Sequence, residues 1–528
     1  MFSCIPHRKS HNHCSPSWKS VLSHIVSTSH RLLFHLDPFS IQLIYFAFIS
    51  FVGFWLLKAI KPRTAMPRNL DLFFMSVSSG TVSSMSTVEM EVFSNGQLIV
   101  MTVLMLIGGE VFLSMVGLYL STSYSPGSSR IQGKVDSPSK VNPVEDLSQV
   151  EMGIAGKASE SEHQYKAGLQ EDQDLTYRSI KALVLLILSY IVIIHLLGVI
   201  LLLVYMSVVT GAREVLEKKG LKIITYAIFT IVSSFSSCGF TPNNENMAIF
   251  SKNSGLLLII LPQLLLGNTF YPSCLRFLIW LSGKFVRKNE FEYLLKSNVT
   301  KIGYDHLLPS MQSRLLPLTA LGFIAVQMIL FCTMEWNSGL MSGMNGIQKF
   351  VGSLFQCVNT RHTGESVVNI AAIAPAILVL FIVMMYLPPY TTFLPSKHDE
   401  DCIKQVDGGN HMTIGKRIME NVVFSQLGYL IIYLIAICIT ERKSLVEDPL
   451  NFNVLNIAME VVSAYGNVGF STGYSCELRL HPQGSCIDKD YGFAGKWSNQ
   501  GKIILIIIMF HGRLKKFNLH GGKAWKTT

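Results

Sequence analysis

Four short stretches of small and polar residues interrupt the apolar parts of the chain. Each follows a short apolar segment of about three helical turns and precedes a longer apolar run. Irregular backbone enters a membrane only where it lines a watery cavity, so each stretch fits a re-entrant loop. Four such loops around one axis would form a ring of carbonyl oxygens, which is the chemistry of an ion-selectivity filter. The stretches are Thr81-Val-Ser-Ser-Met-Ser-Thr-Val-Glu-Met-Glu91, Ser236-Ser-Cys-Gly-Phe-Thr241, Thr360-Arg-His-Thr-Gly-Glu365 and Gly466-Asn-Val-Gly-Phe-Ser471.

The composition favours a polytopic membrane protein. Of 528 residues, 49% are hydrophobic and only 15% are charged, which is too apolar for one soluble core. The formal charge of +10 could indicate nucleic acid, but the basic residues cluster between apolar runs, where the positive-inside rule expects many of them. We therefore expect the lipid bilayer, and not nucleic acid, as a partner. No apolar stretch near the N-terminus is typical of a cleavable signal peptide, so the first span should target the chain.

The lengths of the apolar runs predict the elements that position these loops. Runs of about 20 residues cross the hydrocarbon core as helices, whereas runs of about 10 to 14 are too short. The order long, short, loop, long occurs four times. We predict an all-α polytopic membrane protein with four helix–pore loop–helix repeats around a central pore and eight transmembrane helices. The predicted spans are 41–60, 97–120, 180–209, 255–281, 315–333, 368–387, 422–440 and 501–514, and the short segments are 70–79, 223–233, 347–358 and 452–464.

The same pattern divides the chain into repeats and connecting segments. An even number of spans places both termini in the cytosol, and the basic connections support this orientation. The linker after the first repeat is rich in Ser, Pro, Gly, Glu and Lys without an apolar period, so we expect it to be disordered. The predicted segments are a tail 1–37, repeat 38–121, linker 122–176, repeat 177–283, basic loop 284–314, repeat 315–390, loop 391–417, repeat 418–514 and a tail 515–528.

The loop sequences resemble those of plant HKT transporters, which belong with the Trk and Ktr cation-uptake systems. The resemblance covers nearly all of residues 38–526. It implies a chain that folds like the four subunits of a potassium channel and passes Na⁺, and sometimes K⁺, across the plasma membrane of plant cells. The residues that carry it are those at 81–94, Cys238-Gly-Phe-Thr-Pro242, Asn244-Glu-Asn-Met247, Asn359-Thr-Arg-His-Thr-Gly-Glu-Ser366, Gly466-Asn-Val-Gly-Phe-Ser471 and Gly512-Arg-Leu-Lys-Lys-Phe517.

The resemblance places the four filter positions at Ser84, Gly239, Gly364 and Gly469, and serine in the first loop resembles the Na⁺-selective subgroup. Carbonyls recoordinate a dehydrated ion without a full charge, and glycine lets backbone approach the axis. A serine adds a Cβ and a hydroxyl, so we expect it to break the fourfold cage that K⁺ needs while Na⁺ passes with some water. A lone glycine more often serves packing, but four equivalent places favour the filter. The flanking filter residues are Val82, Ser83, Cys238, Thr363 and Val468.

Charged residues near the loops have two interpretations each. Acids beside the loops can enrich cations at the outer mouth or can be ordinary solvated or salt-bridged surface. Glu110, inside a spanning run, must face protein or water, either in a structural hydrogen bond or as a pore ligand. Arg513 can snorkel to the cytosolic interface, or can raise a barrier to cations below the filter. The outer-mouth acids are Glu89, Glu91, Glu245 and Glu365.

Other residues bear on the shape of the pore and its loops. Pro375 and the group Gly267-Asn268-Thr269 with Pro272 should break helical hydrogen bonding, forming either a gate or a bend. Cys476 and Cys486 follow the fourth filter loop on the outside, where they can form a disulfide or remain free thiols.

The alternatives within transport are Na⁺-coupled K⁺ symport and mixed Na⁺/K⁺ uniport. A membrane-embedded enzyme would need convergent catalytic groups, yet the sequence has no HExxH, GxSxG or Walker motif. A structural or receptor-like protein would give no reason for four re-entrant loops. We therefore expect a passive, Na⁺-selective uptake pathway that needs no cofactor, and K⁺ is transported only in the two alternatives. By analogy with bacterial relatives of this architecture, it would form a homodimer.

Overall fold

The computed structural model describes residues 38–123, 155–286, 289–297, 302–388, 390, 426–479, 486, 488–489 and 492–518. The predicted tail 1–37 and loop 391–417 lie outside these residues. The described part is almost entirely helical, and its β pairing is a single antiparallel bridge between Tyr474 and Lys489. An all-α architecture is what the apolar run lengths predict.

Each repeat consists of an outer helix, a short pore helix, a filter loop and an inner helix. The first contains α1 (Pro38–Ala59), α2 (Asn69–Gly80), α3 (Asn95–Gly108) and α4 (Glu110–Ser123). The second contains α5 (Ala155–Val208), α6 (Thr210–Lys218), α7 (Ile223–Phe235), α8 (Ser254–Leu266) and α9 (Tyr271–Val286). The connection α10 (Asn289–Lys296) precedes the third, with α11 (Ser310–Glu335), α12 (Gly346–Asn359) and α13 (Pro375–Tyr386). The fourth contains α14 (Gln426–Thr440), α15 (Arg442–Glu447), α16 (Val454–Gly466) and α17 (Asn499–Asn518).

Local sequence signals begin several of these helices. Asn345 caps α12, since its side chain accepts from the Gln348 amide at 2.9 Å while Gln348 reaches back to the Asn345 amide. Asn453 caps α16 through a single hydrogen bond, because its side chain accepts from the Asn456 amide at 2.8 Å. Pro375 is the first residue of α13, where its missing N–H costs nothing. The predicted helix break at Pro375 is therefore wrong, because this proline starts a helix.

Two predicted spans are each two helices. The run 97–120 bends by 57° between α3 and α4, and the run 255–281 bends by 79° between α8 and α9. A Cβ at Gly108 would lie 2.0 Å from the Gly80 carbonyl oxygen, and one at Gly267 would lie 1.9 Å from that of Phe235. The inner helix thus touches the end of its own pore helix at a glycine. The second bend confirms the predicted break at Gly267-Asn268-Thr269.

The predicted disordered linker 122–176 is too long. Helix α5 begins at Ala155, so the last part of that linker belongs to the helix of the second outer span. Residues 155–173 contain Ala, Glu, Lys and Gln at many positions, and these side chains have high helix propensity. This segment has no apolar period, but it is helical because its residues have high helix propensity and because it continues into the apolar span. Residues 124–154 lie outside the described part.

By length and composition, three described helices can cross a membrane, and the two bent pairs raise this number to as many as five. The three remaining predicted spans correspond to α13, α14 and α17, described over 12, 15 and 20 residues. The outer helices present large apolar side chains outward, such as Leu185 and Leu318, each 67% exposed. The pore helices are buried instead, with Met75, Phe229 and Met459 fully enclosed. Outer helices with exposed apolar side chains around buried pore helices fit a bilayer.

Candidate ion-selectivity filter

The four predicted filter positions meet one another. A Cβ built on Gly239 would lie 2.2 Å from the Gly364 nitrogen, and one on Gly364 would lie 2.6 Å from the Gly469 carbonyl oxygen. One on Gly469 would lie 2.2 Å from the Ser84 Cβ. Ser84, Gly239 and Gly469 also line one small cavity of about 30 Å³, which is room for about one water molecule. Residues far apart in the chain therefore surround one constriction.

Three of the four filter loops share an unusual backbone conformation. In the first, second and fourth loops the filter residue has positive φ: 53° at Ser84, 96° at Gly239 and 100° at Gly469. The residue two positions earlier also has positive φ in each loop, at Val82, Ser237 and Asn467. Alternating left- and right-handed backbone turns successive carbonyls to the same side, as a carbonyl-lined path requires. Non-glycine residues adopt this region only where their surroundings enforce it.

Serines of the pore helices hold these loops in place. The Gly239 amide donates to the Ser233 hydroxyl and the Gly469 amide to the Ser463 hydroxyl, both at 3.0 Å. Ser78 stands at the same distance in sequence before Ser84, and its carbonyl accepts from the Ser83 amide at 2.8 Å. These serines are missing from the sequence prediction. The signal that could have found them is a serine six residues before the filter position in three of four repeats.

The predicted flanking residues are buried beside the constriction. Cys238 and Val468 are buried, and their amides donate to the carbonyls of Ser233 and Ser463 at 2.9 and 3.0 Å. Thr363 is buried and donates its hydroxyl to the Asn359 side chain. These hydrogen bonds brace the loops at three of the five predicted flanking residues.

Each of the four predicted outer-mouth acids has a partner. Lys219, at the end of α6, contacts Glu91 and Glu245 at 2.5 Å each. Burial lowers the pKa of Lys219, but hydrogen bonds to both carboxylates outweigh it and raise the pKa above its ordinary value. Glu89 lies 3.1 Å from the Lys489 ammonium. Glu365 is fully buried and accepts from the Ser234 hydroxyl at 2.5 Å, so it braces the second pore helix.

Sequence comparisons show the family of this chain. Residues 152–519 match the model of the family TrkH, described as "Cation transport protein". The chain belongs to this family. It is 48% identical to "Sodium transporter HKT1" of Arabidopsis thaliana, covering 89% of this chain and 91% of that protein. It is 44% identical to "Cation transporter HKT1;3" of Oryza sativa subsp. japonica, over 95% and 93% of the two chains.

A solved member shows the same fold. The potassium transporter TrkH from Vibrio parahaemolyticus superimposes with a TM-score of 0.50 over 92% of this chain and 84% of that one, at 16% identity. The predicted all-α fold and the predicted resemblance to HKT transporters are confirmed. The relatives are named as transporters and not as enzymes.

In the present chain, Arg513 lies in the protein interior below the candidate filter. It is 1% exposed, donates to the Gly108 carbonyl, and its guanidinium lies 4.0 Å from Glu110 and 5.7 Å from the centre of the Phe46 ring. Snorkelling to the cytosolic interface is therefore wrong for Arg513, because its charge is held at the break between α3 and α4. Glu110 also faces His306 at 3.9 Å. A charged cluster thus surrounds the first inner-helix break.

The loop after the fourth filter is closed by a disulfide. Cys476 and Cys486 are bonded, with their Cα atoms 5.9 Å apart. Of the two alternatives left open by the sequence, the structure has the disulfide. The loop lies against the first filter loop, since a Cβ at Gly492 would lie 2.6 Å from the Ser86 carbonyl oxygen.

Proposed function

We propose that this chain is a passive, Na⁺-selective uptake pathway for monovalent cations in the plasma membrane, with both termini in the cytosol. Relatives 40–48% identical over most of the chain are named sodium or cation transporters. The membrane potential would drive the ion with about 2.3 kcal/mol per charge for each 100 mV. The observation that carries the selectivity is the contact of Ser84 with Gly469 in the constriction.

The serine makes one quarter of the constriction unlike the other three. Ser84 holds a left-handed backbone at φ 53° and brings a Cβ and a hydroxyl to within van der Waals reach of Gly469. Replacing water around K⁺ needs several carbonyls at matched distances. A side chain in one quarter disturbs that match, whereas Na⁺ can retain water on the irregular side. The filter thereby discriminates against K⁺.

Arg513 supports a second part of the proposal. Its buried charge lies beside Glu110 at the inner-helix break, below the filter loops. A fixed positive charge there raises the barrier to a cation leaving toward the cytosol, while Glu110 offsets part of it. We propose that this pair limits the flux. We also keep the homodimer as a proposal by analogy with the fold.

Replacing Ser84 with glycine tests the selectivity. Reversal potentials are recorded by two-electrode voltage clamp in mixtures of Na⁺ and K⁺, with Gly322→Ala as a control far from the filter, where no atom lies within 4 Å of the added Cβ. We expect Ser84→Gly to raise K⁺ permeability relative to Na⁺, and the control to leave it unchanged. An unchanged permeability ratio in Ser84→Gly contradicts the proposal. A current that needs both ions at once would instead indicate Na⁺-coupled K⁺ symport.

A further inference from the structure

The external loop of the fourth repeat folds back over the first filter loop. A Cβ at Gly495 would lie 2.7 Å from the Thr87 carbonyl oxygen, so the two backbones touch. The Ser471 hydroxyl, two residues after the fourth filter position, accepts from the amides of Gly492 and Phe493 at 3.2 and 3.0 Å. The fourth repeat therefore covers one side of the outer entrance formed by the first.

The same loop fixes the position of Lys489. Its backbone pairs with Tyr474 through two hydrogen bonds of 2.7 and 2.9 Å. The disulfide between Cys476 and Cys486 closes the loop inside this pair, and the Asp488 carboxylate accepts from the Cys476 amide at 2.6 Å. The backbone pairing with Tyr474 and the nearby disulfide therefore fix the backbone position of Lys489.

The ammonium of Lys489 lies 3.1 Å from the carboxylate of Glu89, and both side chains are about one-fifth exposed. Glu89 lines the small cavity above the constriction, together with Ser84, Gly239 and Gly469. The pair thus lies at the entrance that an arriving external ion must pass. Lys496, the next basic residue of the same loop, instead lies over the Tyr474 ring at 4.7 Å.

We propose that Lys489 is a tethered cation that occupies the Glu89 carboxylate at the filter entrance and so weakens the hold of this entrance on external Na⁺. An ammonium is a compact monovalent cation and competes for the same carboxylate oxygens. Without it, the carboxylate would raise the local concentration of cations at the mouth. The inference rests on the proposed transport function. It states that the Lys489–Glu89 pair sets part of the apparent affinity for external Na⁺.

The test measures the external Na⁺ concentration that gives half-maximal current, at low ionic strength. Lys489→Gln should lower this concentration about two- to fivefold, the range expected for one partly exposed charge pair, with limiting current per transporter at the surface within about twofold. Lys489→Arg keeps the charge and should behave as the original chain. Lys496→Gln, the comparison variant, removes a second positive charge of the same loop that also acts on Glu89 but whose ammonium lies over the Tyr474 ring, and it should shift the value less than Lys489→Gln does. The effect of Lys489→Gln should shrink at high salt, since salt screens exposed charges.

Changing the carboxylate gives the opposite sign. Glu89→Gln leaves the Lys489 ammonium without its counter-charge and should raise the half-maximal concentration, and the double variant should lie between the two single ones. If the pair only ties two loops together, both single changes would reduce surface protein or limiting current and leave the half-maximal concentration alone, which overturns the inference. Reversal potentials stay those of the original chain in either case. Loss of Na⁺ selectivity or of all Na⁺ current in the unmodified chain would count against the proposed function instead.

Discussion

At the scale of single residues, the constriction depends on which side chains its backbone can carry. Gly239 and Gly469 combine positive φ with a neighbouring loop closer than any Cβ tolerates. Ser84 has positive φ as well, and its Cβ has room because Gly469, the residue that faces it, has no Cβ. A serine in the first loop is therefore compatible with this ring because the fourth loop has glycine.

Replacing Gly469 with alanine should strongly reduce transport. The new Cβ would lie 2.2 Å from the Ser84 Cβ, at a φ of 100° that costs a residue with a side chain about 1–3 kcal/mol. We expect current per transporter at the surface to fall at least about tenfold, since about 1.4 kcal/mol corresponds to a factor of ten. Current is recorded beside surface labelling. Gly322→Ala should retain both, and an active Gly469→Ala would contradict the tight ring.

The resemblance to HKT transporters placed the predicted filter positions, the recurrence of three glycines and a serine in four repeats supported them, and the structure brings these residues into contact. The partners of the charged residues were not predictable in this way. Lys219 and Lys489 are far in sequence from the acids that they contact, and no local pattern couples them. The pore-helix serines were missed because one serine in a short helix is ordinary, and only the loop amide gives it a role.

At the scale of elements, the first pore helix is fixed by a contact with a helix of the fourth repeat. Asp71 lies in the first turn of α2, where a carboxylate also favours the helix N-terminus. Lys502 of α17 contacts it at 2.7 Å, and both side chains are largely buried. The first pore helix is thereby joined to the last inner helix, which closes the circle of repeats.

Breaking this pair should destabilise the protein. Removal of one partner leaves a buried charge without its counterpart, at a cost of about 3–5 kcal/mol. We expect Lys502→Met and Asp71→Leu each to lower the melting temperature of detergent-purified protein, and the double variant to lose less than either alone. Lys443→Met is the control, because Lys443 and Glu447 form an exposed pair at 3.7 Å. Equal losses in the single and double variants would show that the pair does not act as a unit.

Apolar run lengths predicted the order of outer, short and inner elements, but the sequence predicted neither the bend at Gly108 nor the start of α5. Hydrophobicity continues through Gly108 and Gly109, so a window sees one span, and the break follows from the contact with Gly80. The N-terminal part of α5 lacks an apolar period and is helical through propensity. Both differences come from interactions that a periodicity search does not measure.

At the scale of the whole molecule, a segment of the predicted cytosolic loop 284–314 joins three repeats beneath the filter. Tyr304 bonds to Tyr271 of the second repeat at 2.6 Å and to Ser114 of the first at 3.2 Å. His306 bonds to Tyr390, at the end of the third repeat, at 2.9 Å and faces Glu110 of the first. The short stretch from Tyr304 to His306 therefore contacts the first, second and third repeats at once.

This junction should make the protein sensitive to acid. Burial lowers the pKa of His306 below its usual value of about 6.5, with Arg513 acting in the same direction and Glu110 and Asp305 opposing it. Because the folded pKa is the lower one, the unfolded chain binds the proton more readily. The stability that neutral His306 contributes is complete above about pH 6.5 and is lost as the pH falls through the folded pKa, with a slope of at most about 1.4 kcal/mol per pH unit.

Melting temperatures of the purified protein between pH 7.5 and 5 measure this effect, where those limits bracket the usual histidine pKa of about 6.5. The original chain should lose stability on acidification, and His306→Asn, which keeps a polar group near Tyr390 but does not titrate, should lose less over the same interval. His306→Asn should also be less stable at pH 7.5, because the shorter side chain gives up ring contacts with Tyr271 and Tyr304 at 5.4 and 5.3 Å. Parallel pH curves for the two proteins would assign the acid sensitivity to other groups and leave this segment with a purely mechanical role in holding the three repeats together.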